Sequence, residues 1–289
     1  MKPDTLRIAF LLPLLLLFSL VIPACAPLPG RGEKEDAMTV TVFRIGKADA
    51  VLITLAGDVP HTVLIDTGEA DDAAELTAAL RAAGTKTIDC LILTHFDKDH
   101  IGGAPGLLSA VGADRILYPD RPGEGESYDA LMRLLSDEKY RAAAEPLASD
   151  TAFSVGEAQF TVSVPQKAAY DKNQDNNFSL AVTVVHAGHT LLFAGDAERE
   201  RQEELISAGL PSPVDFLKVP HHGVWNKGLD DFFSACAPVY AAVTCSDKNP
   251  AEDKTLDALS ACGTKVFLTS SGNVTAVSTP GSFTVTQNG

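Results

Sequence analysis

The spacing of hydrophobic and polar positions predicts strands in both halves of the chain, with helices between them. Short apolar or alternating runs predict strands at 39–43, 50–55, 61–65 and 88–94, and an apolar face at helical spacing predicts a helix at 71–83. Further predicted strands are 115–118, 158–164, 180–186, 190–194 and 214–219, and further predicted helices are 104–111, 126–144 and 198–207. The tail that follows is predicted as a helix, a strand, a helix and closing strands that end near residue 285. This succession predicts an α/β fold in which two sheets lie between layers of helices.

The N-terminus has the pattern of an export signal. Two basic residues precede an apolar stretch at 8–22, which is short for a membrane-spanning helix but suits a signal peptide. The end of this stretch resembles a bacterial lipobox, so we predict a lipoprotein-type signal peptide over 1–24 and lipidation of Cys25. Residues 25–37 are a predicted flexible tether. The product would be a cell-surface or membrane-anchored lipoprotein, or otherwise a secreted protein. An uncleaved N-terminal anchor is the alternative, and it also places the body outside the cytoplasm.

Composition narrows the class of protein. Hydrophobic residues make up 45% and charged residues 21% of the chain, which excludes a disordered, collagen-like or coiled-coil protein. The formal net charge of -15 at pH 7 argues against a general nucleic-acid coat protein, because it repels phosphate backbones at long range. No linker interrupts residues 38–289, so we predict one catalytic domain there.

The most informative segment follows the predicted strand at 88–94. His95, Asp97, Asp99 and His100 place four candidate metal ligands within six residues, and two glycines follow them. Imidazole and carboxylate side chains together suit a hydrolytic divalent metal such as zinc or manganese. The alternative for this segment alone is a solvated, charged loop.

Three further motifs also follow predicted strands. Asp66 lies in an Asp-Thr-Gly turn, Asp196 in a Gly-Asp turn, and His221 and His222 in a Pro-His-His-Gly segment. Each motif alone is typical of ordinary turn chemistry or of a surface pair. Because functional groups collect at strand ends in α/β folds, the ordered set predicts one shared metal site.

Together these motifs resemble the metallo-β-lactamase superfamily, and within it the soluble hydrolase domain of the ComEC competence proteins. The matching segments are 43–50, 94–103, 176–180, 195–196 and 217–223, and the resemblance covers about residues 38–278. It implies a four-layer αββα sandwich and a metal-dependent hydrolase domain over residues 38–289.

The resemblance also implies roles for individual residues. His95 and Asp97 would hold one divalent ion, Asp99 and His100 a second, and Asp196 would bridge them. Either His221 or His222 would complete the second site, and the alignment with the superfamily motif favours His222. The residues expected to orient ligands or to contact substrate are Asp49, Asp66, Asn176, Asn177 and Ser179.

Catalysis would then depend on two divalent ions, zinc or manganese, that activate water, with Asp99 accepting the proton. Compared with the superfamily pattern, oxygen donors replace two imidazoles, which favours harder metals such as manganese. No Gly-x-Ser-x-Gly motif supports a serine nucleophile.

For the substrate, the leading hypothesis is a phosphodiester, in an anionic small molecule or in single-stranded DNA. Ester, lactone or β-lactam hydrolysis on the same scaffold and a non-catalytic binding module are the alternatives. Phe178 and Trp225 flank ligand motifs, where packing is favoured over base stacking.

Apart from substrate, we expect membrane contact through the lipid anchor and no protein partner. The motif loops also contain several lysines. If they surround the site they would attract an anion, and otherwise they serve solubility. They are Lys47, Lys98, Lys172, Lys218, Lys227 and Lys248.

Overall fold

A computed structural model describes residues 37–172 and 174–288 of the chain. The predicted signal peptide at 1–24, the lipidation residue Cys25 and the tether up to residue 36 lie outside the described residues. None of the helices in the described part combines the length and the apolar composition that crossing a membrane requires.

The described residues form two sheets. In the first sheet the strand order is β15-β14-β1-β2-β3-β4-β5-β6, and in the second it is β13-β12-β11-β10-β9-β8-β7. The strands are β1 Met38–Val42, β2 Val51–Leu55, β3 His61–Ile65, β4 Cys90–Ile92, β5 Ile116–Pro119, β6 Ala144–Leu147, β7 Thr151–Val155, β8 Ala158–Ser163, β9 Ala181–His186, β10 His189–Phe193, β11 Phe216–Lys218, β12 Tyr240–Val243, β13 Lys265–Leu268, β14 Asn273–Thr279 and β15 Ser282–Asn288. Strands β3 to β6 are parallel, as are β10 to β13.

Helices connect these strands. The α-helices are α1 Ala73–Ala82, α2 Lys98–Ile101, α3 Ala104–Ala110, α4 Glu126–Leu135, α5 Glu138–Arg141, α6 Gln174–Asn177, α7 Arg199–Ala208, α8 Leu229–Cys236 and α9 Asp253–Ala261. Short 3₁₀ turns span Ala70–Asp72, Pro220–Gly223 and Thr269–Ser271.

The two sheets pack face to face through one apolar core. In β1, Met38, Val40 and Val42 are buried in this core, because alternate side chains of a strand point to the same face. Phe160 and Phe193 enter the same core from the second sheet.

Each outer sheet face is covered by helices. On the first sheet, Leu64 and Leu91 pack with Leu76 and Leu80 of α1 and with residues of α3 and α4. On the second sheet, Leu217 packs in a cluster with residues of α7, α8 and α9. The αββα sandwich implied by the resemblance is therefore confirmed.

The predicted helix at 126–144 is wrong in its length. Helix α4 ends at Leu135, and extended backbone at Asp137 separates it from α5, whose Lys139 N–H donates to the Asp137 side chain. Strand β6 then begins at Ala144 and pairs with β5. The sequence analysis also missed β7, whose positions are half-buried or exposed and carry little apolar signal.

The core between the sheets gives a prediction about stability. Phe160 is 1% exposed, so Phe160→Ala should lower the free energy of unfolding by about 3–5 kcal/mol, through lost burial and the cavity left behind. Urea denaturation measures this change. The control is Val59→Ala, at a side chain that is 67% exposed, where a loss of similar size would contradict the packing described.

Candidate metal centre

Loops that follow five strands meet at one edge of the sandwich. Asp66 follows β3 and His95 lies beyond β4, while Asp196, His222 and Thr244 lie beyond β10, β11 and β12. The first two strands belong to the first sheet and the other three to the second. The site therefore forms where the two sheets face each other, not within either sheet alone.

A set of buried polar atoms at this edge has unused binding capacity. His95 Nε2, His100 Nε2, His222 Nε2 and Asp196 Oδ1 have no hydrogen-bond partner among the described residues. Buried polar atoms in folded proteins nearly always have one. His100 Nε2 and His222 Nε2 also lie only 3.3 and 3.1 Å from Asp196 Oδ2. Imidazole and carboxylate are ligands of divalent metals, so these residues fit a metal ion.

The potential ligand atoms of the described residues form four overlapping groups of three residues, of which two contain neither Asp49 nor Asp66. His95, His100 and Asp196 each offer an atom within 4.8 Å of the others, and so do Asp99, His100 and His222. Asp99 Oδ2 is 3.3 Å from His222 Nε2. The structure thus brings together residues expected at each of two neighbouring ions, while the role of each as a ligand stays a prediction.

Asp66 fixes the orientation of two imidazoles. Its Oδ2 accepts hydrogen bonds from His100 Nδ1 at 2.8 Å and from Thr94 Oγ1 at 2.7 Å. Because the Thr94 hydroxyl gives its proton to Asp66, it accepts the N–H of His95 Nδ1, which is 3.1 Å away. Both rings are held by Nδ1, which leaves Nε2 facing the centre. These hydrogen bonds are the ones that an orienting role for Asp66 would require, and the role itself stays a prediction.

Asp49 and Thr244 make an equivalent connection to His222. The Thr244 hydroxyl donates to Asp49 Oδ1 at 2.6 Å and lies 2.9 Å from His222 Nδ1, whose N–H it accepts. Asp49 precedes β2 of the first sheet, whereas Thr244 follows β12 of the second. This hydrogen-bonded chain therefore also joins the two sheets.

Lys218 is a buried cation beside the centre. It is 1% exposed, its Nζ contacts the Asp49 carboxylate, and the same atom lies 3.5 Å from Asp196 Oδ1. A buried ammonium persists only when it is paired, as it is here. Of the lysines considered for attracting an anion, Lys218 therefore faces the interior, and Lys98 at the surface pairs with Glu69 at 3.0 Å.

The carboxylates of the centre stabilise positive charge. Burial, and secondarily the neighbouring His100, lower the pKa of His95 well below its usual value. Burial also opposes the charged form of His100, but Asp196 and Asp66 outweigh it and raise the pKa of His100 well above its usual value. Against the same burial, Asp196 and Asp49 raise the pKa of His222 to about 10. The field that favours charged imidazoles also favours a bound cation.

Asp97 and Asp99 connect this centre to solvent. Both line a cavity of about 510 Å³. The Asp97 side chain is 43% exposed, and its Oδ2 lies 3.8 Å from His95 Nε2. Burial tends to raise the pKa of Asp99, but His222 and His100 outweigh it and lower that pKa, so the carboxylate is ionised at neutral pH.

The two adjacent histidines differ in their surroundings. His222 points into the centre, whereas His221 turns to Glu198, with Nδ1 3.2 Å from Glu198 Oε1 and Nε2 3.4 Å from Asn176 Nδ2. Both residues have left-handed backbone, with φ of 48° and 52°. The geometry favours His222 as the ligand of the pair.

Asn177 and Ser179 organise the backbone around Asp196. Asn177 Oδ1 accepts the backbone N–H groups of Glu198 and Arg201 at the start of α7, at 3.2 and 3.1 Å. Ser179 Oγ accepts the Asp196 N–H at 3.0 Å. In the structure these two residues, expected to orient ligands or contact substrate, hold the loop that carries Asp196.

Gly103 permits the loops to approach closely. A Cβ at this position would lie 2.2 Å from the Thr67 carbonyl oxygen, a distance that no side chain tolerates. The glycines after His100 thus let the segment of α2 and α3 pack against the turn that follows Asp66.

Thr244 and the pairing of Lys218 with Asp49 were not predicted from the sequence. Lys218 carried a usable signal, since it occupies a short strand whose Phe216 enters the core between the sheets, and i and i+2 share a face. Thr244 carried none, because its partner Asp49 is 195 positions away.

The geometry of the histidine pair predicts different effects on metal binding. Loss of a partner that orients a metal-binding histidine typically weakens metal affinity about 10–100-fold, and loss of the ligand itself should cost more, so His222→Ala should weaken binding beyond this range. His221→Ala is the matched variant and should leave the affinity nearly unchanged. Titration of the chelator-treated protein with manganese or zinc measures both, and the reverse order would contradict the assignment of His222.

The buried pair of Lys218 and Asp49 predicts a large stability effect. Lys218→Met leaves a buried carboxylate without its cation and should lower the free energy of unfolding by about 3–5 kcal/mol, measured by urea denaturation in chelator. Lys98→Met removes the exposed partner of Glu69 and should change it little. Equal effects of the two variants would show that the Lys218 pair is not buried as described.

Comparison with known proteins agrees with the fold. Residues 46–237 match the metallo-beta-lactamase superfamily. The chain is 29% identical over 170 residues to ComE operon protein 3 of Bacillus subtilis, covering 59% of this chain and 21% of that protein. It is 31% identical over 109 residues to ribonuclease Z of Thermobifida fusca, covering 35% of this chain and 33% of that protein. It therefore spans a third or less of each relative.

A solved structure shows the same architecture. The metallo-beta-lactamase fold protein YhfI of Bacillus subtilis superposes with a TM-score of 0.56 at 18% identity, covering 81% of this chain and 96% of that one. The resemblance seen in the sequence motifs is thus confirmed over most of the described chain. The chain belongs to the metallo-β-lactamase superfamily.

Proposed function

We propose that this protein is an extracytoplasmic hydrolase that uses two divalent metal ions to cleave phosphodiesters. The observation that carries the proposal is the set of converging, unpartnered atoms among the described residues, on His95, His100, His222 and Asp196. Asp97 and Asp99, which lie 3.8 Å from His95 Nε2 and 3.3 Å from His222 Nε2, line a solvent cavity next to these atoms. A purely structural role would leave no reason to bury so much unused binding capacity.

The residues divide into two sets for binding the ions. His95 and Asp97 would hold the first ion, and His100, His222 and Asp99 would hold the second. Asp196 would contribute to both ions. A bound zinc or manganese ion would lower the pKa of water and stabilise negative charge on the reacting group. Asp66 and the Asp49–Thr244 pair keep each Nε2 turned to the centre.

Asp99 is the proposed proton acceptor. Its Oδ2 lies 3.3 Å from His222 Nε2, its side chain is 22% exposed, and it lines a solvent cavity. The carboxylate is ionised at neutral pH, as a proton acceptor must be. Oxygen-rich donors in place of two imidazoles favour manganese over zinc.

The choice of phosphodiesters has two supports. The relatives include a protein named as a ribonuclease. The donor set is also richer in carboxylates than the superfamily pattern, which suits the hard metals that assist phosphoryl chemistry. The proposed location is outside the cytoplasm, with attachment to the membrane through a lipid on Cys25, which rests on the sequence of residues 1–37.

Asp99→Ala tests this function. Wild-type protein loaded with manganese or zinc should hydrolyse a chromogenic phosphodiester, and Asp99→Ala should lower kcat by about 10²–10⁴-fold, the usual contribution of a positioned proton acceptor. Asp257→Ala, at an exposed position of α9, is the matched control and should retain the wild-type rate.

Parallel assays identify the class of substrate. The same preparations are tested with single-stranded DNA, a carboxylic ester and a chromogenic β-lactam. Faster turnover of the ester or β-lactam would replace the phosphodiester proposal with the second candidate. A protein that binds no metal and hydrolyses none of these would be a binding module.

A further inference from the structure

A groove beside the metal centre has a composition suited to an anionic ligand with a planar apolar part. The cavity measures about 370 Å³, within the usual range of small-molecule sites. We call it the Arg121 groove, and its lining includes two cations, Arg121 and Lys167, one carboxylate, Asp120, and the apolar residues Leu147, Val164 and Phe178. It begins where β5 ends, at the same edge of the first sheet as the loops after β3 and β4.

Arg121 is held in place but retains binding capacity. Its guanidinium lies over the Phe178 ring, 3.8 Å from the ring centroid, and its Nη1 is 3.3 Å from Asp175 Oδ1. The Asp175 side chain is 66% exposed, so this pair is a weak surface contact that a ligand anion could replace. A guanidinium has five N–H donors and two stacking faces, so it can bind a phosphate and a planar group together.

Lys167 contributes less of its charge to the groove. Its Nζ pairs with Glu200 Oε2 at 3.1 Å. Arg121 is therefore the main cation available to a ligand in this groove.

The groove is connected to the metal centre through the segment that follows Phe178. The next residue, Ser179, accepts the N–H of Asp196, and Leu180 N–H donates to the carbonyl oxygen of Thr94, directly before His95. A ligand in the Arg121 groove would thus lie beside the loops of both candidate ions.

The opposite side of the centre has the opposite charge. Glu124 and Glu126 line the 510 Å³ cavity together with Asp97 and Asp99. The one cation in that lining, Lys98, pairs with Glu69. The segment 120–125 separates the two cavities, with Arg121 in one lining and Glu124 in the other.

We propose that the Arg121 groove is the substrate subsite for the phosphate group of an ester that also carries an aromatic ring or nucleobase, and that Arg121 is its specificity-determining residue. This inference rests on the proposed function and narrows its substrate to a small anionic phosphate ester. A long single strand would have to continue past Glu124 and Glu126, which would repel its phosphates, whereas a small ester would not extend beyond the metal centre and the Arg121 groove.

The test measures the binding of phenyl phosphate to the full chain by isothermal titration calorimetry, in the presence of a chelator. Arg121→Gln should weaken binding about tenfold or more, because a charge-assisted contact is lost. Arg115→Gln is the matched control, since Arg115 also lies over a ring, 4.7 Å from Phe153, and pairs with a carboxylate, Glu145. It does not line the groove and should bind like wild type.

Asp175→Asn provides a second, opposite readout at an exposed side chain. Removing the carboxylate that occupies Arg121 should tighten the binding of phenyl phosphate. The proposal is overturned if wild type does not bind phenyl phosphate, if Arg121→Gln binds it as wild type does, or if Asp175→Asn does not tighten binding.

A kinetic arm separates this inference from the proposed function. With metal-loaded enzyme and a chromogenic phosphodiester, Arg121→Gln should raise KM while kcat changes little, and Arg115→Gln should change neither. Binding of phenyl phosphate without any phosphodiester hydrolysis would overturn the proposed function and retain the subsite. Hydrolysis with an unchanged KM in Arg121→Gln would overturn the subsite and retain the function.

Discussion

Buried carboxylates are the constraint on which the structure of this centre depends. Asp49, Asp66 and Asp196 are almost completely removed from water, and each must be compensated by donors or cations. Asp66 obtains donors from Thr94 and His100, and Asp49 from Thr244 and Lys218. These contacts fix the Nδ1 side of every imidazole in the cluster. The convergence of the three Nε2 atoms therefore follows from how the carboxylates are satisfied behind them.

Local sequence patterns determined much of the fold, because most of its strands bury alternating or continuous apolar residues. The predicted strand at 61–65 coincides with β3, and Leu76 and Leu80 form the buried face of α1. Patterns failed where local interactions replace burial. A polar cap at Asp137 divides the predicted helix at 126–144, and β7 depends on pairing with β8 more than on its own hydrophobicity.

The candidate site was predictable to a different extent at each layer. Residues that would bind metal directly have restricted chemistry and lie in short motifs, so His95, Asp99 and His100 could be selected from the sequence. The residues behind them are Thr and Lys, whose types are common in any chain. Thr244 becomes significant only when the fold brings it to Asp49, and Asn177 is recognised as a helix cap only when α7 is seen beginning beside it.

The residues of the centre come from both sheets, and this has a consequence for the stability of the folded protein. His95 and His100 lie in a segment that follows a strand of the first sheet, and Asp196 and His222 follow strands of the second. An ion bound by all of them would cross-link the two sheets. Anything that binds only the folded form adds to its stability by mass action. Metal supply would then affect how long the protein stays folded.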